Sequence, residues 1–102
     1  NSPSVFVFNP DGTFVEAWGD RYAEHAHGMH LARERDGEYL YLAATRHHFV
    51  AKTTLAGDEI FRIGSPELPE IYNDDHPFVP TETTIAPNGD IYITDGYGDF
   101  PE

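Results

Sequence analysis

Glu24-His25-Ala26-His27-Gly28-Met29-His30-Leu31-Ala32 decides how the rest of the chain is read. Three histidines (His25, His27 and His30) fall within six residues, where a loop gives way to extended chain. From Gly28 to Arg33 the residues are small and mixed in character, as in a strand crowded by its neighbours. Arg35-Asp36-Gly37 is a turn, and Tyr39-Leu40-Tyr41-Leu42-Ala43-Ala44 is apolar nearly throughout, so that strand is expected to be buried on both faces. Thr45-Arg46-His47 turns the chain again. Phe49 to Thr54 and Glu59 to Gly64 follow as strands separated by Gly57-Asp58, completing a four-stranded meander.

Outside this unit lie partial copies of it. Ser4-Val5-Phe6-Val7-Phe8 and Thr13 to Gly19 flank Asn9-Pro10-Asp11-Gly12, a turn signal in which proline presets φ and Asp-Gly accepts positive φ. Thr81 to Ala86 and Asp90 to Thr94 flank Pro87-Asn88-Gly89. His27 to Ala32, Asp36-Gly37-Glu38 and Leu40-Tyr41-Leu42 align with Thr81 to Ala86, Asn88-Gly89-Asp90 and Ile91-Tyr92-Ile93. Phe6-Val7-Phe8 through Gly12 to Trp18-Gly19 aligns with Phe49-Val50-Ala51 through Gly57 to Ile63-Gly64. A recurring four-strand unit implies an all-β propeller or array. With strands lettered a to d outward from the axis, the chain reads c-d, a-b-c-d, a-b, or about two blades. The expected segments are an outer half-blade (1–19), a full blade (26–64), a loop (65–80) and an inner half-blade (81–102). The loop holds Pro66, Pro69, Pro77 and Pro80, which exclude a regular helix. A loop this long is expected to be functional or to cap something.

The 102 residues suit one small domain. A formal net charge of −12 argues against a nucleic-acid partner, whose phosphates this surface would repel. The absence of cysteine excludes disulfides and thiolate metal sites. No apolar run reaches membrane-spanning length. The start Asn-Ser-Pro suggests a processed product or a piece of a longer chain. Unpaired half-blades expose edges that invite pairing. Two solutions are open: three copies closing head to tail into six blades as a homotrimer, or completion by the remainder of a longer chain.

Residues 8–19 (Phe-Asn-Pro-Asp-Gly-Thr-Phe-Val-Glu-Ala-Trp-Gly) and 85–97 (Ile-Ala-Pro-Asn-Gly-Asp-Ile-Tyr-Ile-Thr-Asp-Gly-Tyr) resemble the signatures of NHL-repeat six-bladed β-propellers. The order His27-Gly28-Met29, Pro80-Thr81-Glu82, Asp95-Gly96-Tyr97 is similar to the peptidylglycine α-amidating lyase (peptidyl-α-hydroxyglycine lyase) branch. That resemblance implies zinc on the axis, held by one histidine from each of three alternate blades, with calcium deeper. It makes His27 a zinc ligand, Met29 a calcium ligand through its carbonyl, and Tyr97 the catalytic tyrosine. It also implies a secreted or periplasmic protein. The implied chemistry is metal-assisted lysis of an α-hydroxyglycine-type substrate, with Tyr97 shuttling a proton; the family's catalytic arginine lies outside the matched region, and Arg46 is expected to meet a carboxylate only as the arginine of the mouth. The chain departs from the pattern at Thr81, which stands where a second axial histidine would be, and at Phe78 and Gly98, which replace the family's disulfide. One copy therefore cannot build the site; three copies of His27 can.

Since strand a starts where strand b ends, one mouth is expected to gather His25, His27, Arg46-His47-His48, Asp95 to Asp99 with Tyr97, and the 65–80 loop with His76. The alternatives are structural: His27 capping a strand, His25 and His30 solvated, His47 and His48 exposed in a turn, Tyr97 packing beside glycine, and Asp95 making a turn. Asp74, Asp75 and Glu70 are either calcium ligands or a solvated acidic loop. Trp18 and the strand phenylalanines and tyrosines are expected in the core. A second class of function is a non-catalytic propeller module that binds a protein or small ligand.

Overall fold

In the computed structural model, which describes residues 2–96, eight strands follow one another. They are β1 (Val5–Phe8), β2 (Phe14–Trp18), β3 (Ala26–Glu34), β4 (Gly37–Ala44), β5 (Phe49–Thr54), β6 (Glu59–Ile63), β7 (Pro80–Ile85) and β8 (Ile91–Asp95). The fold is all-β and antiparallel throughout: a β3-β4-β5-β6 meander stands between the hairpins β1-β2 and β7-β8. This is the c-d, a-b-c-d, a-b order of propeller blades. The only helical turns among the described residues are short 3-10 turns at Asp20–Tyr22 and Thr45–His47.

Hydrogen-bond register shows how closely the units repeat. Val5 pairs with Trp18 and Phe6 with Ala17, just as Val50 pairs with Ile63 and Ala51 with Arg62. Their turns match too: Asn9 N–H donates to Thr13 O at 2.8 Å, and Thr54 N–H to Asp58 O at 2.9 Å. Every position in β1-β2 thus has its counterpart 45 residues on, Val5 with Val50 and Trp18 with Ile63. This corrects the alignment of Phe6 with Phe49, which is two residues out. A slip of two keeps each side chain on its own face, so the hydrophobic pattern did not betray it. The inner strands repeat as aligned: Gly28 opposite Ala43 matches Glu82 opposite Thr94.

Packing alternates by face. On one side of the meander, Leu42, Ala44, Phe49 and Ala51 bury Val5 and Tyr22, with Trp18 and Leu40 alongside. On the other side, Ala32, Tyr41, Ala43 and Val50 receive Ile85, Ile91 and Ile93 of the β7-β8 hairpin. Strand β4 is buried on both faces from Tyr41 to Ala44, as its apolar run requires.

Two readings of the core are corrected. Phe6, Phe8, Phe14 and Tyr92 are each more than half exposed, because they sit on half-blade faces that no other sheet of the described residues covers. Tyr22, in a stretch read as plain loop, is fully buried and donates its hydroxyl to Glu59 Oε1 at 2.8 Å.

Candidate functional site

At the end of the meander where β3 begins and β4 ends, Ala26 pairs with Ala44 and Gly28 with Ala43. His27 is the extra residue of that bulge. Strand β3 therefore starts two residues earlier than the small-residue pattern implied, and His27 lies inside it. Thr81 is the extra residue of the matching bulge in β7, between Pro80 and Glu82. The two bulges touch: His27 Nδ1 lies 3.2 Å from Thr81 O. Gly28 makes the approach possible, since a Cβ there would stand 2.3 Å from the same carbonyl oxygen.

The Thr45–His47 turn closes over the start of β3. Thr45 N–H donates to His25 O at 2.9 Å, and the His25 and His47 rings meet edge to face at 5.0 Å. His47 leans on Phe49 at 6.1 Å, and the Arg62 guanidinium lies 4.0 Å over the Phe49 ring. His48 adopts a left-handed conformation (φ 64°), and its Nδ1 sits 2.7 Å from Phe78 O, tying the turn to the end of the long loop. Arg46 is exposed at the apex of the turn. The mouth thus gathers His25, His27, Arg46, His47 and His48 from two strand ends and one turn. It is an imidazole-rich rim with one arginine, and the Glu82 carboxyl lies against Gly28 beside it, on a chain of net charge −12.

Of the other residues singled out, Asp95 stays at this end, beside the β7 bulge, while His30 and Met29 lie further along β3. His30 is on the far part of β3, lining a cleft with Arg33 and Arg35. His76 closes a small bridge with Asn73. Asp95 is the last residue of β8, opposite Pro80, and not a turn residue; its carboxylate is buried, and burial of the Tyr72 phenol, reinforced by Asp95, pushes that phenol up. Met29 is more than half exposed on the opposite face of β3 from Gly28. Tyr97 and Asp99 lie outside the described residues.

A histidine that gives its Nδ1–H to a backbone carbonyl carries its lone pair on Nε2, the arrangement common in metal-bound imidazoles. His27 is placed for that tautomer. Among the described residues no three ligating side chains converge. The acidic residues of the long loop form no such group either.

The chain is similar to the human protein "NHL repeat-containing protein 3", with 29% identity over 107 aligned residues. The match covers 96% of this chain and 29% of that protein. The chain thus spans less than a third of the length of the curated relative it matches. No family model and no solved structure matches. An NHL-like propeller architecture fits both the comparison and the strand order. The lyase branch finds no support in either.

Proposed function

We propose that the chain is a non-catalytic NHL-type propeller module, and that its mouth binds an acidic ligand: a carboxylate-bearing peptide or small molecule. The observation that carries this reading is the backbone placement of Arg46, His25, His27, His47 and His48 at one end of the central blade, where Ala26 pairs with Ala44 and Thr45 N–H donates to His25 O. A carboxylate meeting Arg46 gains a charge-assisted hydrogen bond with a fixed fork geometry. The bulge at His27 directs a ring donor or acceptor to the same rim. Fold alone assigns no activity, and the relative is described only as an NHL repeat protein.

Titration calorimetry with a glutamate-rich peptide tests the reading. Arg46→Ala is expected to weaken binding about tenfold or more, since a hydrogen bond to a charged group contributes roughly 1.5–3 kcal/mol. Arg35→Ala, on the far side, should leave it unchanged. Equal losses in both variants would reduce the effect to general electrostatics and end the proposal.

The orientation of His27 supports a second reading, the zinc-dependent lyase acting on an α-hydroxyglycine-type substrate. In it, His27 would be one of three identical zinc ligands, the Met29 carbonyl would serve calcium, and Tyr97 and Arg46 would act on the substrate. Bound zinc would supply Lewis-acid activation of the hydroxyl. Metal analysis decides between the readings: zinc at about one ion per three chains, lost in His27→Ala, favours the lyase.

A further inference from the structure

We infer that a second copy of this chain completes the half-blades, with β8 of one copy pairing antiparallel to β1 of the next, and that three copies close a ring. The inference rests on the propeller reading above.

Within the full blade, Leu40 pairs with Thr53, Tyr41 with Lys52 and Leu42 with Ala51. Strand β8 is the counterpart of β4, with Ile91, Tyr92 and Ile93 standing for Leu40, Tyr41 and Leu42. Strand β1 is the counterpart of β5, with Phe6, Val7 and Phe8 standing for Ala51, Lys52 and Thr53. Transferred to two copies, the same register sets Ile91 opposite Phe8, Tyr92 opposite Val7 and Ile93 opposite Phe6. The free edges of β8 and β1 are the inner and outer halves of one such sheet.

The faces agree with the edges. In this pairing Phe6 and Phe8 share a side with Ile91 and Ile93, which already pack on the Ala32, Tyr41, Ala43 and Val50 face of the meander. The next copy's phenylalanines would continue that layer over Lys52 and Phe61. There the structure has a cleft of about 650 Å³ whose walls include Tyr41, Lys52, Phe61, Ile85 and Ile91. At the other side of the meander, Met29 and Leu31 lie exposed beside a smaller cleft of about 220 Å³ that reaches Val5 and Phe6. The preceding copy's β7-β8 would cover it, bringing exposed Tyr92 onto that face. One interaction thus buries Phe6, Phe8, Tyr92, Met29 and Leu31 and fills both clefts. It also repeats, between copies, the blade-on-blade packing already present within one. The contact is head to tail, so it propagates until rotation closes it. Three copies give the six blades that the NHL-type repeat implies.

Light scattering is expected to give three times the 11.5 kDa of one chain. Phe6→Asp with Phe8→Asp, and separately Phe61→Asp, alter side chains exposed in the single chain. Each should give a monomer with its sheet circular-dichroism signal intact. Mixed, they should form a one-to-one dimer, because one sound interface remains between unlike variants. The chain has no cysteine, so Val7→Cys with Tyr92→Cys should oxidise to a covalent trimer, while Phe8→Cys with Tyr92→Cys should not. A wild-type monomer with intact sheet would overturn self-pairing and leave the remainder of a longer chain as the occupant. A dimer that the mixed variants fail to rescue, or an open filament, would overturn ring closure. Loss of sheet signal in the wild type would instead refute the propeller reading itself.

Discussion

Tyr22 and Glu59 show how much one pair of side chains can hold. The phenol joins the 3-10 turn after β2 to the first residue of β6, and Arg62 also pairs with Glu59 at 2.9 Å. Burial, reinforced by the Glu59 hydrogen bond, pushes the Tyr22 phenol up to about 12. A raised value means that the folded state keeps its proton longer than the unfolded chain does. The stabilisation is full below the ordinary tyrosine range near pH 10 and is lost as pH rises through about 12. The Arg62 hydrogen bond, against burial, holds the Glu59 carboxyl below its ordinary range. Its share is therefore present at neutral pH and lost on acidification through the folded-state value. Tyr22→Phe should lower stability by about 1–2 kcal/mol at neutral pH, the usual cost of a lost buried hydrogen bond. It should also flatten the decline between about pH 10 and 12. Urea denaturation at about pH 7 and pH 11 checks both; an unchanged alkaline slope would assign the decline to other groups. None of this was legible in Asp20-Arg21-Tyr22-Ala23-Glu24, whose loop composition carries no periodicity to betray a buried ring.

Between elements, the contact that matters most for the mouth is β3 against β7. The two bulges face one another, and Gly28 is the spacer that admits the Thr81 carbonyl and the Glu82 side chain, whose carboxyl carbon would lie 2.8 Å from an added Cβ. Gly28→Ala leaves the backbone of β3 acceptable but drives the β7-β8 hairpin off the blade. The expected loss is about 1–3 kcal/mol, as for overpacking in a tight core, together with faster amide exchange in β7-β8 than in β4-β5. Uniform exchange across all strands would mean that the hairpin and the meander open as one unit. The strands themselves were readable from β-branched and aromatic runs and from the Asp-Gly and Asn-Gly turns. All eight form, with ends moved by a residue or two. The bulges were not readable, because an extra residue leaves the composition of a strand unchanged and shows only in its hydrogen bonds.

The molecule as a whole is open rather than closed upon itself. Its radius of gyration is 14.7 Å, against about 13 Å for a compact chain of this length. The excess fits two half-blades without their complements. A ring of three copies would gather three times the −12 charge of one chain. Association should therefore strengthen with salt, which screens the repulsion while the apolar contacts persist. Sedimentation velocity at about 20 mM and about 500 mM salt tests this. Weaker association at high salt would show that ion pairs, not the apolar faces, hold copies together.

The amino-acid order by itself determined the strands, the c-d, a-b-c-d, a-b phasing and the equivalence of His27 with Thr81, because turn residues and the two-residue side-chain period are local properties. Only the tertiary structure decided which aromatic residues are covered, since burial depends on a neighbour at each sheet face, and Phe6, Phe8 and Tyr92 stay more than half exposed among the described residues. It also decided the two-residue correction of the outer repeat and the meeting of His27 with the Thr81 carbonyl. These follow from hydrogen-bond register and from the close approach that Gly28 permits, and neither is written in a periodic pattern.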